Sequence, residues 1–212
     1  MKRMSIFKRQ NLFSTKRYKE LMNTSKSIAV VSASRKLGVT HLCLCLANFL
    51  HAALRQKVLY IEVSEDSQLL GMVGEKQIDI RGHIGFLYKG VRYALACNKS
   101  EAMELMDQEE GYVILDIDAL TDETSNLFFR CSKRIVIGSM KPWCRREFYN
   151  LYNNMIKGGQ GINIKYVNKN ENVNEIKVFK KEFNCDITSL PVIDDPFRLQ
   201  ESSFEDLSKL IM

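Results

Sequence analysis

The chain has 212 residues, 45% hydrophobic and 26% charged, which is enough to bury the core of one large α/β domain or two small ones. It has no run of eighteen apolar residues and no apolar stretch near its N-terminus that would suit a signal peptide, which argues against a membrane-spanning or secreted protein. Six scattered cysteines without a CxxC pair argue against a disulfide framework, so we expect a cytoplasmic protein.

Residues 1–26 form a basic segment, which we call the N-terminal arm. The arm carries eight Lys or Arg residues and one acidic residue, whereas basic and acidic residues nearly balance over residues 27–212. We therefore predict two units, the arm over 1–26 and one α/β domain over 27–212. Apolar side chains interleave with the charges of the arm, which suits contact with an anionic membrane surface, nucleic acid or an acidic protein. The alternative is a solvated tail without a partner.

Apolar segments alternate with helical patterns over the first half of this domain. The stretches "SIAVVS" and "KVLYIEV" predict two buried strands, with a helix over residues 40–54 between them. Ser64 suits the N-cap of a short helix that ends near Val73. Two short β-rich runs flank Lys89 and Gly90 and predict a hairpin, because glycine permits the turn.

The second half continues the alternation. Strands are predicted over residues 112–117, 134–139 and 162–167 and within "DITSLPV". Helices are predicted over residues 100–106, 121–130, 142–157 and 173–183 and from residue 203 onward, with Pro142 opening the third of them. Continuous apolar strands between helices indicate an α/β fold, a doubly wound, mostly parallel sheet with helices on both faces.

The helix predicted over residues 40–54 has a narrow polar stripe. His41, Asn48 and His51 share one face, while apolar residues cover most of the remaining perimeter, so we expect this helix to be mostly buried. A histidine pair raises the possibility of a metal site. No third ligand is spaced to join these two residues, so a structural role is expected for both.

The stretch "ASRKLGVT", residues 33–40, lies between the first strand and this helix. A loop that cradles phosphate there needs glycines, a lysine for the β- and γ-phosphates and a Ser or Thr for Mg²⁺. The stretch resembles the GKGGVGKT loop of the ParA/MinD family of deviant-Walker ATPases, which implies a P-loop NTPase-like fold. Gly38 and Thr40 match the last glycine and the magnesium-binding threonine, whereas Val39 replaces the phosphate lysine. Ser34 replaces the additional signature lysine of the family. Three of the family's glycines are replaced by Ala33, Arg35 and Lys36.

Three further stretches resemble the same family in order and spacing. "QKVLYIEVSED" resembles its second strand, with Glu62 at the position of the aspartate that positions the attacking water. "EEGYVILDIDAL" resembles the Walker B strand, with Asp116 at the aspartate position, and "ITSLPVIDDPF" resembles the strand and loop that border the adenine, which assigns Pro191 to that border. Each match has a structural alternative: a helix cap at Thr40, a solvent-exposed Glu62 and an ordinary strand-ending carboxylate at Asp116.

The stretch "GGQG" at residues 158–161 is similar to the GGQ tripeptide of peptide-release factors. It follows a predicted helix and precedes a predicted strand, where glycine serves to end the helix. We therefore expect a structural role for these glycines.

The substitutions in the loop predict a degenerate ATPase site. Phosphoryl transfer depends on positioning and on charges aimed at the transferring group, and losing one such donor typically costs on the order of 10²–10³ in rate. Two lysine positions are lost here. We also expect the loop to avoid positive φ at the three replaced glycines, so that its N–H groups do not converge on a phosphate. No cofactor is expected, and ATP with Mg²⁺ held by Thr40 and Asp116 should bind weakly at best.

The resemblance implies a positioning or assembly factor that acts through protein contacts. Members of the family serve plasmid partition, division-site regulation and, in the CpaE/TadZ type, pilus and secretion assembly; the arm and the small size favour the last group. Expected partners are assembly proteins that dock near the hairpin at residues 86–93, and a homodimer and a location at the inner membrane face stay open. Two alternatives also stay open: a slow ATPase that uses Arg35 or Lys36 as substitute cations, and a nucleic-acid-binding regulator that acts through the arm.

Overall fold

The computed structural model describes residues 27–67, 69–157, 163–169 and 172–211. Two of the predicted features, the N-terminal arm over 1–26 and the glycine-rich stretch at 158–161, lie outside the described residues. Within them, strands and helices alternate as predicted, with one additional strand.

The strands are β1 Ser27–Ser32, β2 Val58–Val63, β3 Gln77–Ile80, β4 His83–Tyr88, β5 Val91–Cys97, β6 Tyr112–Ala119, β7 Lys133–Gly138, β8 Ile164–Asn168 and β9 Ile187–Ser189. The α-helices are α1 Val39–Asn48, α2 Leu70–Val73, α3 Lys99–Gln108, α4 Asp122–Arg130, α5 Arg145–Lys157, α6 Val173–Phe183 and α7 Phe204–Ile211. A π-helical turn, Phe49–Ala53, continues α1, and a 3₁₀ turn, Glu201–Ser203, precedes α7.

All nine strands join one sheet, in the order β3-β4-β5-β2-β6-β1-β7-β8-β9. The pairs from β5 to β9 are parallel, and β4 is antiparallel to both of its neighbours. Successive residues of β1 enter different cores: Ile28 and Val30 pack with α1 and α7, whereas Ala29 and Val31 pack with α3, α4, α5 and α6. Because a strand points alternate side chains to opposite faces, helices cover both faces of the sheet, which confirms the predicted doubly wound α/β fold.

The predicted hairpin forms between β4 and β5. Its turn places Lys89 at φ 47° and Gly90 at φ 84°, and β3 adds an antiparallel strand that the sequence did not reveal. The side chains of Phe86 and Tyr93 are buried, however. The prediction of a docking surface along residues 86–93 is therefore wrong for these two residues, because alternate side chains of the hairpin complete the core.

Two predicted helix starts are wrong. The Ser64 hydroxyl donates to the carbonyl of Asp66 at 2.7 Å and is committed to a local bend, so α2 begins only at Leu70. Pro142 lies in a turn, in which the Cys144 N–H donates to the Lys141 carbonyl at 2.9 Å, and α5 begins after it.

Helix α1 is buried along nearly its whole length, as its narrow polar stripe predicts. His41 Nε2 lies 2.7 Å from the Ile193 carbonyl, and His51 Nδ1 lies 3.2 Å from the Gln56 carbonyl. Both imidazoles therefore serve as links to backbone carbonyls. Among the described residues, no three His, Cys, Asp or Glu side chains are grouped so that they could hold a metal ion.

Candidate functional site

The loop between β1 and α1 contains two residues with a left-handed backbone conformation. Lys36 has φ 62° and Gly38 has φ 103°, both in the left-handed region. The prediction that the loop avoids positive φ at the replaced glycines is therefore wrong at Lys36. The left-handed conformation of Lys36 is strained for a residue with a side chain. Its carbonyl accepts a hydrogen bond at 2.7 Å from the ammonium of Lys169, which follows β8.

The side chains of this loop divide between the core and the surface. Val39, the first residue of α1, is 4% exposed and belongs to the same core cluster as Leu37, although it also borders the cleft above the sheet. The hydroxyl of Ser34 is buried and has no hydrogen-bond partner among the described residues. Arg35 and Lys36, the two cations of the loop, are exposed. The position that would hold the phosphate lysine is thus occupied by a core residue.

The start of α1 leaves backbone donors free. The first N–H groups of an α-helix have no partner within the helix, and the N-cap, Gly38, supplies no side-chain hydrogen bond to them. Thr40 lies one residue beyond the helix start, so it is not the N-cap. A helix N-terminus of this kind attracts anions weakly, through its dipole and its free N–H groups.

Two carboxylates lie side by side on the strands below this loop. Glu62 of β2 and Asp116 of β6 are register partners, and their side chains are 7% and 4% exposed. The prediction that these two residues belong to one site is consistent with this geometry. The alternative of a solvent-exposed Glu62 is excluded.

Asp116 is held in the core by two hydroxyls. The Tyr60 hydroxyl donates to Asp116 Oδ2, and Thr40 also hydrogen-bonds to this carboxyl group. Burial raises the pKa of Asp116 to about 6, while these two hydrogen bonds act in the opposite direction. The negative charges of Glu62 and Asp118 raise it further.

Glu62 is held in a similar way on the neighbouring strand. Burial raises the pKa of Glu62, and hydrogen bonds from Ser67 and from the Ala96 N–H, at 3.4 Å, lower it. The carboxyl groups of Glu62 and Asp116 are therefore easier to protonate than free carboxyl groups. Among the described residues, no Lys, Arg or His side chain lowers the pKa of Glu62 or of Asp116.

A cleft of about 900 Å³ opens above these residues, between the loop and the segment that follows β9. Among the described residues, the cations Arg35 and Lys36 line this cleft. Six carboxylates also line it: Glu62, Asp66, Asp116, Asp118, Asp194 and Asp195. One imidazole, that of His41, also lines it. The excess of acids makes the cleft unfavourable for a polyanion that arrives without a metal ion.

The segment Asp194–Phe197 forms the side of the cleft opposite the loop, and the β4–β5 hairpin contacts it. The Lys89 ammonium donates to the Phe197 carbonyl at 3.3 Å and lies 5.3 Å from the Phe197 ring centroid. Pro196 lines the cleft, whereas Pro191 is half-buried outside the described lining. The stretch "ITSLPVIDDPF" therefore does border the cleft, but through its second proline.

Sequence reasoning missed four of the acids that line the cleft, of which Asp66 lies in the bend that follows β2. Asp118 follows two residues after Asp116 at the end of β6, and Asp194 and Asp195 lie within the stretch that resembled the adenine-bordering loop. A carboxylate near the carboxyl end of a parallel strand lies close to the edge where such clefts form, so the position of Asp118 was a usable signal. The two acids of the last loop had no such signal, because no strand directly precedes them.

The whole fold has counterparts among solved structures, although neither a family model nor a curated protein matches the sequence. A ParA family ATPase from Chlorobium tepidum superposes with a TM-score of 0.63 and 11% identity, covering 87% of this chain and 89% of that one. A putative plasmid partition protein from Borrelia burgdorferi, bound to AMPPNP, gives 0.62 and 13%, with coverage of 89% and 97%. The MinD cell division protein of Aquifex aeolicus gives 0.58 and 14%, with coverage of 87% and 86%.

The chain has the ParA/MinD fold. Identities of 11–14% establish this shared architecture and leave the chemistry to be argued from the residues of this chain. In this ParA/MinD fold the loop between β1 and α1 leads into the N-terminus of α1, and residues 34 and 39 of this stretch are Ser and Val, which carry no positive charge. None of the described helices is long and apolar enough to cross a membrane.

Proposed function

We propose that this chain is a catalytically degenerate ParA/MinD-like protein, a positioning or assembly factor that acts through protein contacts. The observation that carries the proposal is the burial of Val39, 4% exposed, at the position where a working site presents its lysine. A valine in the core can neither donate to a phosphate nor move toward one without leaving a cavity.

The charges around the cleft support the same conclusion. A charge-assisted hydrogen bond contributes about 1.5–3 kcal/mol, so the loss of two lysines weakens triphosphate binding by roughly two to four powers of ten. Arg35 and Lys36 are exposed at the rim and face six carboxylates across the cleft. We infer that they do not restore the lost affinity.

The wider comparison supports a role in protein contacts. The MinD cell division protein of Aquifex aeolicus has also been solved in a complex with MinC, which superposes with a TM-score of 0.56 and 11% identity, covering 87% of this chain and 85% of that one. By analogy we propose that the retained fold binds a protein of a larger assembly. Pilus or secretion machinery is the branch that the basic arm and the small size favour.

Calorimetric titration of the full-length chain with Mg-ATP tests the proposal, together with a phosphate-release assay. We expect no saturable heat at millimolar nucleotide and no release above that of the Asp116→Ala variant. Saturable binding and steady hydrolysis that are lost on Asp116→Ala would refute the proposal and establish the slow ATPase.

A second comparison separates the two sources of substitute charge. Arg35→Ala and Lys36→Ala remove the loop cations one at a time, and Lys57→Ala, at the amino edge of β2, is a matched exposed control. If the slow-ATPase alternative holds, one loop variant loses hydrolysis and the control retains it. If the degenerate site holds, all three variants equal the wild type.

A further inference from the structure

The loop between β7 and α5 carries the one tryptophan of the chain on its outside. Trp143 is 73% exposed, and its neighbours Lys141 and Pro142 are exposed as well. A single exposed apolar side chain is common, but an exposed indole next to an exposed proline and several cations forms a candidate contact surface. We call residues 140–146 the Trp143 loop.

The Trp143 loop has a defined shape. Its first residue, Met140, is buried, and the Met140 N–H donates to Asn168 Oδ1 at 3.0 Å. The N–H groups of Cys144 and Arg145 both donate to the Lys141 carbonyl at 2.9 Å, which closes a turn. The fold therefore presents Pro142 and Trp143 at the tip of a hydrogen-bonded protrusion.

Cations surround this protruding indole. The Lys141 ammonium lies 5.4 Å from the Trp143 ring centroid, and Arg145 and Arg146 follow at the start of α5 with exposed side chains. Arg145 is oriented by Tyr149, whose hydroxyl accepts from Arg145 Nε at 2.9 Å. Over residues 139–149 three cations accompany one acidic residue, Glu147, so this segment has a net charge of +2. Helix α6 adds acids on one side, where Glu182 accepts from the Tyr149 hydroxyl at 2.9 Å and, with Glu175, acts on Arg145.

We propose that the Trp143 loop is a contact site for an anionic phospholipid surface. A convex tip that bears an indole and a proline suits insertion at the level of lipid headgroups, where tryptophan is enriched. The cations around it suit the negative charge of the same headgroups. Since the loop follows a parallel strand, it lies at the carboxyl edge of the sheet, and binding would turn the edge that carries the cleft toward the bilayer. The proposal does not depend on whether the cleft binds nucleotide.

Trp143 makes the proposal directly measurable in the full-length chain. Its emission reports on this loop alone, because no other tryptophan contributes. Vesicles of phosphatidylcholine, with or without one quarter phosphatidylserine, are titrated at low salt while emission and iodide quenching are recorded. We expect a shift to shorter wavelength and weaker quenching on the anionic vesicles, with half-saturation at roughly thirtyfold less lipid than on the neutral ones, from two net charges.

Charge variants that keep the fluorophore test the cause. Lys141→Gln with Arg146→Gln should raise the half-saturating lipid concentration roughly thirtyfold. The matched control is Lys57→Gln with Lys76→Gln, two exposed lysines at the amino edge of the sheet, and it should shift half-saturation less than twofold. Sedimentation of the same samples reports whether the chain is on the vesicles at all.

Four results would overturn the proposal. The first is sedimentation with anionic vesicles while the emission stays unchanged, which would place the contact elsewhere, as on the arm. The second is equal behaviour of the loop variant and the wild type. The third is a larger shift with oligodeoxythymidine at equal phosphate concentration, which would indicate nucleic acid. The fourth is a shift that follows protein concentration without lipid, which would indicate self-association.

Discussion

Replacing Asp116 with asparagine should change the pH dependence of stability in a definite direction. The pKa of Asp116 is raised to about 6 from an ordinary value of 3.8, chiefly because the carboxyl group is buried. The folded state therefore holds this proton more tightly than the unfolded state does. The stabilisation that results is fully present below pH 3.8 and is lost as the pH rises through about 6.

The magnitude follows from the size of this shift. A difference of about two pKa units corresponds to about 3 kcal/mol in total, of which about 2 kcal/mol is lost between pH 4.5 and pH 8. Asparagine has nearly the same shape and no charge to bury, so Asp116→Asn removes this loss. The free energy of unfolding of the variant, minus that of the wild type, should therefore rise by about 2 kcal/mol from pH 4.5 to pH 8.

Urea unfolding at several pH values measures this difference directly. Glu62, whose pKa is also raised, interacts with Asp116, so the same comparison is repeated in the Glu62→Gln background, where this interaction is absent. Glu75→Gln, at an exposed position, is the matched control and should leave the slope of the wild type unchanged. A difference that stays constant with pH, or that falls as the pH rises, would show that Asp116 does not carry a buried charge in the native protein.

Four further outcomes are expected. Val39→Lys should lower the free energy of unfolding by about 1–3 kcal/mol, because a longer side chain must pass through a packed position to bring its ammonium to the cleft, and unchanged urea midpoints would contradict the packing of this position. Lys36→Gly should raise it by about 0.5–1 kcal/mol, because Lys36 has φ 62°, and a loss of stability would argue against that conformation. Lys169→Met should lower it by about 1 kcal/mol in the wild type, by removing the donor to the Lys36 carbonyl, as measured by urea unfolding. Binding of the full-length chain to duplex DNA through residues 1–26 should weaken steeply between about 50 and 200 mM salt, and equal binding by residues 27–212 would show the arm to be passive.

Much of the fold could be read from local patterns. The apolar strands β1, β2 and β6 and helix α6 lie where the sequence indicated, because their hydrophobic periodicity is strong and long. Strand β3 was missed, since "QIDI" is short, half polar and paired along one edge only with β4. The starts of α2 and α5 were placed too early, because the hydroxyl of Ser64 and the turn after Lys141 form local hydrogen bonds that compete with a helix.

For the candidate site, too, some features follow from the sequence and others only from the tertiary structure. The sequence by itself determined which chemistry is missing, because the side chains at residues 34 and 39 cannot carry a positive charge wherever the chain places them. Only the tertiary structure decided what replaces it. The Lys169 ammonium that binds the loop, the Tyr60 hydroxyl on Asp116 and the acids that line the cleft come from distant parts of the chain. Their effects depend on distance and burial, which the order of residues along one chain does not fix until the sheet brings its strands together.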